Sequence, residues 1–150
     1  MNKKIIIIFI GLFSALIIFS VFWRLWEEAQ TKKDITSRSD NFVMAWANYS
    51  DSASEKYFQA IEPYTSTDII NEYRESSEVL LEMRGDKEPS RSIFKITQNS
   101  TIKKEGETYK TELKGIRDYS FQEDNFEQTV YMTWEEINNK YLITKVYTDK

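Results

Sequence analysis

Apolar positions crowd the start of the chain and then follow two rhythms in succession. From Ile5 to Trp23, nineteen residues pass without a charge. As a helix rising about 1.5 Å per residue they span roughly 28 Å, close to the hydrocarbon thickness of a bilayer. Trp23 and Trp26 fall where an interfacial aromatic belt sits, and Arg24 can snorkel beside them. The pattern predicts a transmembrane anchor over residues 5–26 behind a cytoplasmic tail of residues 1–4. A cleavable signal segment would be shorter and end in small residues, whereas Phe22-Trp23-Arg24-Leu25-Trp26 is bulky.

The first rhythm after the anchor is helical. Neither Gly nor Pro occurs from Glu27 to Asn48, and Glu28 and Lys32 stand four apart in the favourable order. Residues 27–33 read as a stalk. Ile35, Phe42, Trp46 and Tyr49, with Val43 and Ala47 alongside, predict a helix from Asp34 to Tyr49 that continues the anchor. The polar break Ser50–Ser54 supplies N-caps for a short helix, Glu55 to Ile61, which Pro63 ends. Thr65-Ser66-Thr67-Asp68 opens a third helix to Arg84, with Ile69, Ile70, Tyr73, Leu80, Leu81 and Met83 as its apolar positions and Gly85 as its C-cap. Ser76 and Ser77 interrupt that stripe.

From Ser92 the period changes to two. Ile93, Phe94, Ile96 and Ile102 mark a strand over 92–103, with Gln98-Asn99-Ser100 as a candidate bulge. Tyr109, Thr111 and Leu113 alternate with Lys110, Glu112 and Lys114, a strand with one wet face that extends towards Phe121. Val130, Met132 and Trp134 alternate with Thr129, Tyr131 and Thr133, and Tyr141–Thr148 closes the set. The turns fall at Glu105-Gly106, Glu123-Asp124-Asn125 and Asn138-Asn139. Short turns between successive strands mean an antiparallel meander. The class is α+β: three helices packed on a four-stranded antiparallel sheet, one domain over residues 34–150.

Composition removes most chemistries. The chain has no cysteine and no histidine, which excludes disulfides, thiolates, imidazole bases and the common zinc sites. After Trp26 the acids outnumber the bases, 24 to 17, so nucleic acid is not an expected partner and anionic lipid holds the domain off. Lys3 and Lys4 ahead of the anchor favour an inside N-terminus and an outside domain.

Phe42-Val43-Met44-Ala45-Trp46-Ala47, Tyr57-Phe58-Gln59-Ala60-Ile61-Glu62-Pro63-Tyr64 and the closing Tyr141-Leu142-Ile143-Thr144-Lys145-Val146, in this order of elements, resemble the nuclear transport factor 2-like (cystatin-like) superfold. Joined to one N-terminal span, the layout is similar to inner-membrane subunits of type IV secretion and conjugation machines. Ser92-Ile93-Phe94 and Leu113-Lys114-Gly115-Ile116 sit where those subunits have a Ser-x-x-Phe and a Val-x-Gly-x strand. Mammalian-cell-entry-associated membrane proteins share the layout. The resemblance implies a curved sheet and a non-enzymatic scaffold subunit without a cofactor. It implies a place in the bacterial cytoplasmic membrane with the domain outside, bound to other membrane or envelope proteins. A small-ligand-binding or catalytic cone tethered to the membrane is the alternative.

Three groups of residues are candidates for function. Tyr57, Tyr109, Tyr131 and Trp134 could line the cone that some members of the superfold use. Tyr119, Phe121 and Phe126 flank the longest hairpin turn and either bind a partner or cover the helix layer. Gly11-x-x-x-Ala15 permits close approach of a second span, from another copy or another protein. The acid pairs Glu27-Glu28, Glu123-Asp124 and Glu135-Glu136 read as solvated charge; adjacent strand residues face opposite ways, so Glu135 and Glu136 cannot form a catalytic dyad.

Overall fold

A computed structural model describes residues 3–85, 91–120 and 125–149, with the side chains of residues 3–10, 80 and 84 outside that description. Its elements are α1 (Lys3–Ala47), α2 (Glu55–Ile61), a 3-10 turn (Glu62–Tyr64), α3 (Thr67–Arg84), β1 (Ser92–Glu105), β2 (Thr108–Tyr119), β3 (Phe126–Ile137) and β4 (Lys140–Asp149). Residues 1–34 and 35–150 are two compact units.

In the first unit the expected stalk, 27–33, lies within α1, and Glu28 and Lys32 pair at 2.7 Å. Leu12, Phe13, Leu16, Phe19 and Phe22 are all exposed, as are Trp23 and Trp26. A helix apolar on every side has no aqueous face. Six residues of the uncharged run, Ile5–Ile10, fall among the side chains outside the description. Among the described residues no helix is long and apolar enough to cross a membrane, so the anchor rests on the sequence.

The second unit is the expected α+β layer structure. Its sheet runs in the order β1-β2-β3-β4, antiparallel throughout. Alternation assigns the faces. On β2 the inward side chains are Tyr109, Thr111, Leu113 and Arg117; on β3 they are Gln128, Val130, Met132 and Trp134. Against this face α1 presents Ile35, Phe42, Val43 and Ala47, all fully buried at helical spacing, while α2 adds Phe58 and Ile61 and α3 adds Ile70. Two hairpins show their turn chemistry. Asn138 and Asn139 both take positive φ, 52° and 61°, as a two-residue connection requires, and Gly106 takes 63°. The register shifts between Ile96 and Gln98 and again between Gln98 and Thr101, at the bulge the polar triplet suggests.

Two expectations need correction. The first domain helix stops at Ala47, not Tyr49, because strand-like pairing offers the next residues better partners. Asn48 Oδ1 accepts from Phe94 N at 2.7 Å, and Tyr49 exchanges two backbone hydrogen bonds with Ser92. This pairing covers the start of the β1 edge, and Ser66 N, which donates to Ile143 O at 2.9 Å, covers part of β4. The apolar stripe of α3 is also shorter than expected. Ile69 and Ile70 are buried and Ser77 packs closely, but Leu81 and Met83 are exposed, since α1 and α2 already occupy the sheet.

Trp134 is fully buried in the middle of the sheet, and Gly115 lies under the Phe94 ring. Trp134→Ala lowers stability by about 3–5 kcal/mol through the cavity it leaves. A Cβ at Gly115 would stand 2.7 Å from the Lys95 carbonyl oxygen and within the Phe94 ring's volume. Gly115→Ala therefore costs about 1–3 kcal/mol through overpacking. Urea titration of the full chain followed by near-ultraviolet circular dichroism measures both.

Candidate functional site

The four residues expected to line a cone do not meet. Tyr109 and Trp134 face the helices but are core side chains, 2% and 0% exposed. Tyr131 is on the opposite face of the sheet, because it is one residue out of phase with Met132 and three with Trp134. There it stacks on Tyr147 with centroids 4.7 Å apart. Of the four, Tyr57 alone lines a cleft on the helix side.

That cleft, about 300 Å³, opens where the end of α1, α2 and α3 meet the far ends of β2, β3 and β4. Arg117 lies in its wall. The alternation that places Tyr109, Thr111 and Leu113 inward continues through Gly115 to Arg117, so a guanidinium arrives at a buried position, 3% exposed. Its Nε donates to Ser92 Oγ and its Nη1 to Gln128 Oε1, both at 2.9 Å. The Trp46 and Tyr119 rings stand 4.8 and 4.6 Å from its central carbon, at cation–π distance. Tyr49 and Tyr57 meet edge to face at 5.6 Å beside it.

Tyr119 is thus part of this cleft and half-buried, and it stacks on Phe126 at 5.9 Å. Phe121 lies outside the described residues. Gly11 and Ala15 are exposed on α1, with nothing within 4 Å of a Cβ at Gly11. Arg117 escapes a reading based on apolar spacing alone. The signal for it is the parity of β2, carried four residues beyond Leu113.

Burial sets the protonation of the cleft's phenols. It raises the Tyr73 pKa to about 12, with the neighbouring Glu72 charge adding to it. Burial also holds Tyr57 well above the ordinary phenol value, with Tyr73 and Tyr49 contributing and Arg117 opposing. Both stay neutral at any physiological pH.

No family model and no curated protein matches the sequence. Solved structures do match the fold. One is CagV, a VirB8 homolog of the type IV secretion system of Helicobacter pylori strain 26695. It is 12% identical, with a TM-score of 0.53 over 77% of this chain and 96% of that one. Another is TraH, a putative transfer protein of the Gram-positive conjugative plasmid pIP501. It too is 12% identical, with a TM-score of 0.53 over 81% of this chain and 94% of that one. The domain shares its fold with these two proteins. At such identity the likeness is one of backbone, and no residue role passes with it.

The raised phenol values make stability fall in alkali. A phenol whose pKa is higher folded than unfolded keeps its proton longer in the native state. Its contribution is complete below about pH 10 and is lost as pH rises towards 12. Urea midpoints of the full chain decline over that range, and the decline flattens in Tyr57→Phe/Tyr73→Phe.

Proposed function

We propose that this protein is a membrane-anchored, extracytoplasmic assembly subunit of a bacterial envelope machine of the type IV secretion or conjugation kind. The observation that carries the reading is the fold shared with CagV and TraH, which extends over nearly all of both chains. The uncharged run Ile5–Trp23 ahead of such a domain supports one span, with the N-terminus inside and the domain outside. Residues 5–26 form the anchor in this reading, and 34–150 the working domain.

The protein is not an enzyme in this reading. It has no histidine or cysteine, and among the described residues no three acids gather as a metal-binding group. Its partners are other membrane or envelope proteins, met through the hairpin end that carries Tyr119, Phe121 and Phe126. In the bilayer, Gly11 and Ala15 allow a second span, including that of another copy, to approach. Anchor and domain belong on one chain, because tethering raises the local concentration of the docking surface.

Affinity purification of the full chain in mild detergent recovers membrane or envelope proteins. Tyr119→Ser/Phe121→Ser/Phe126→Ser loses them while the circular dichroism of the domain is kept. A C-terminal reporter is active only outside the cytoplasm. Two results oppose the reading: full rescue of a deletion by the domain without residues 1–26 at ordinary expression, or a full chain that purifies alone.

A further inference from the structure

A guanidinium is charged at every accessible pH, and taking one out of water costs several kcal/mol unless a partner compensates. Arg117 is 3% exposed, yet among the described residues no carboxylate pairs with it. Its two hydrogen-bond acceptors, Ser92 and Gln128, are neutral. They engage Nε and one proton of Nη1, and no other described residue accepts from the guanidinium. The rings of Trp46 and Tyr119 offset only part of the charge.

A second group at the same place lacks a partner. The Tyr57 side chain lines the cleft and is largely buried. Its ring contacts Tyr49 and Phe58, but its hydroxyl makes no hydrogen bond to any described residue. Burial keeps this phenol protonated and therefore a donor. Two donors of unmet capacity, one of them cationic, thus border one space.

The lining narrows the chemistry further. Among the described residues that line the cleft there is no acid and no second base. A single positive charge matches a monoanion; a phosphate ester would ask for more donors than one guanidinium and a few hydroxyls provide. Trp46, Tyr49, Tyr57, Tyr73 and Tyr119 give the cleft an aromatic side that favours a flat apolar body, while hydroxyls and the Gln128 amide line the rest. The volume, about 300 Å³, is at the small end of ligand pockets.

We propose that the cleft around Arg117 binds a small monocarboxylic acid with a flat apolar body, of the size of an aryl carboxylate. The carboxylate pairs with the guanidinium and accepts from the Tyr57 hydroxyl, while the body lies against the aromatic side. This site does not rest on the assembly role, although Tyr119 belongs both to the cleft and to the hairpin end proposed for docking.

The test is calorimetric titration of the full-length protein in mild detergent with sodium benzoate, benzamide and sodium acetate at matched ionic strength. Benzoate binds saturably at or below about 10 mM, and benzamide and acetate each bind at least about tenfold more weakly. Benzoate also raises the melting temperature, as a ligand of the native state must. Arg117→Met abolishes binding. Because that change could also unfold the cleft, Tyr57→Phe is the decisive variant: it keeps the ring and the melting temperature but weakens benzoate about fivefold or more. The proposal is overturned by equal binding of benzoate and benzamide, by no heat up to about 10 mM benzoate, or by unchanged affinity in Tyr57→Phe. It is equally overturned if an acidic peptide binds through Arg117 and benzoate does not.

Discussion

The domain is organised around one indole N–H. Trp134 is the largest fully buried side chain, and its single donor has to be satisfied inside the core. Thr111 Oγ1 accepts from it at 3.0 Å, and the same oxygen accepts from Ser39 Oγ at 3.1 Å. Three polar atoms therefore tie β3, β2 and α1 together at the centre of an otherwise apolar layer. A buried donor left unmatched costs about 1–3 kcal/mol, so this bridge fixes both the rotation of the part of α1 within the second unit, from Ile35 to Ala47, and its position along the sheet. Arg38, one residue before Ser39, reinforces the setting. It donates to Tyr141 O at 2.7 Å and to Pro63 O at 3.0 Å, and its guanidinium lies 5.4 Å from the Trp134 ring. Ile35, Phe42, Val43 and Ala47 can interdigitate with the strands only in that setting.

Most of this was legible in the sequence because periodicity is a local property. The alternation in Tyr109–Leu113 and Val130–Trp134 and the spacing Ile35, Phe42, Val43 name the same inward residues that the structure buries. Turn residues with obligatory backbone geometry, Gly106 and the Asn138-Asn139 pair, were legible for the same reason. Contacts that depend on distant partners were not. The end of α1 is decided by β1, some forty-six residues away in sequence, through Asn48 and Phe94. The exposure of Leu81 and Met83 depends on how much of the sheet the other helices leave. The cone residues failed on parity: Tyr131 and Trp134 cannot share a face of one regular strand, a conflict already present in the alternation itself.

The inner face of β2 changes character along its length. Tyr109, Thr111 and Leu113 belong to the packed half beneath α1. Gly115 then removes a side chain, which lets the Phe94 ring lie against the strand. Beyond it, Arg117 and Tyr119 belong to the aromatic cleft. A close-packed structural half and a charged half thus follow one another within a few residues of one strand. The glycine marks the boundary. Damage at the first end acts through close packing, and damage at the second through a buried charge and its neutral partners.

The sheet joins only neighbouring strands in chain order, whereas the helix that completes the core must meet strands made much later. Ser39 bonds to a residue 72 positions further on, and Arg38 to one 103 further on. On a ribosome, the stripe of Ile35, Phe42, Val43 and Ala47 thus emerges long before anything exists to cover it. The hairpins can close as they appear, since their pairings are local and cheap in loop entropy, but the helix must wait for β4. Until then it offers an apolar face to whatever is near, and a nascent chain stalled before Lys140 would be a natural client for a chaperone.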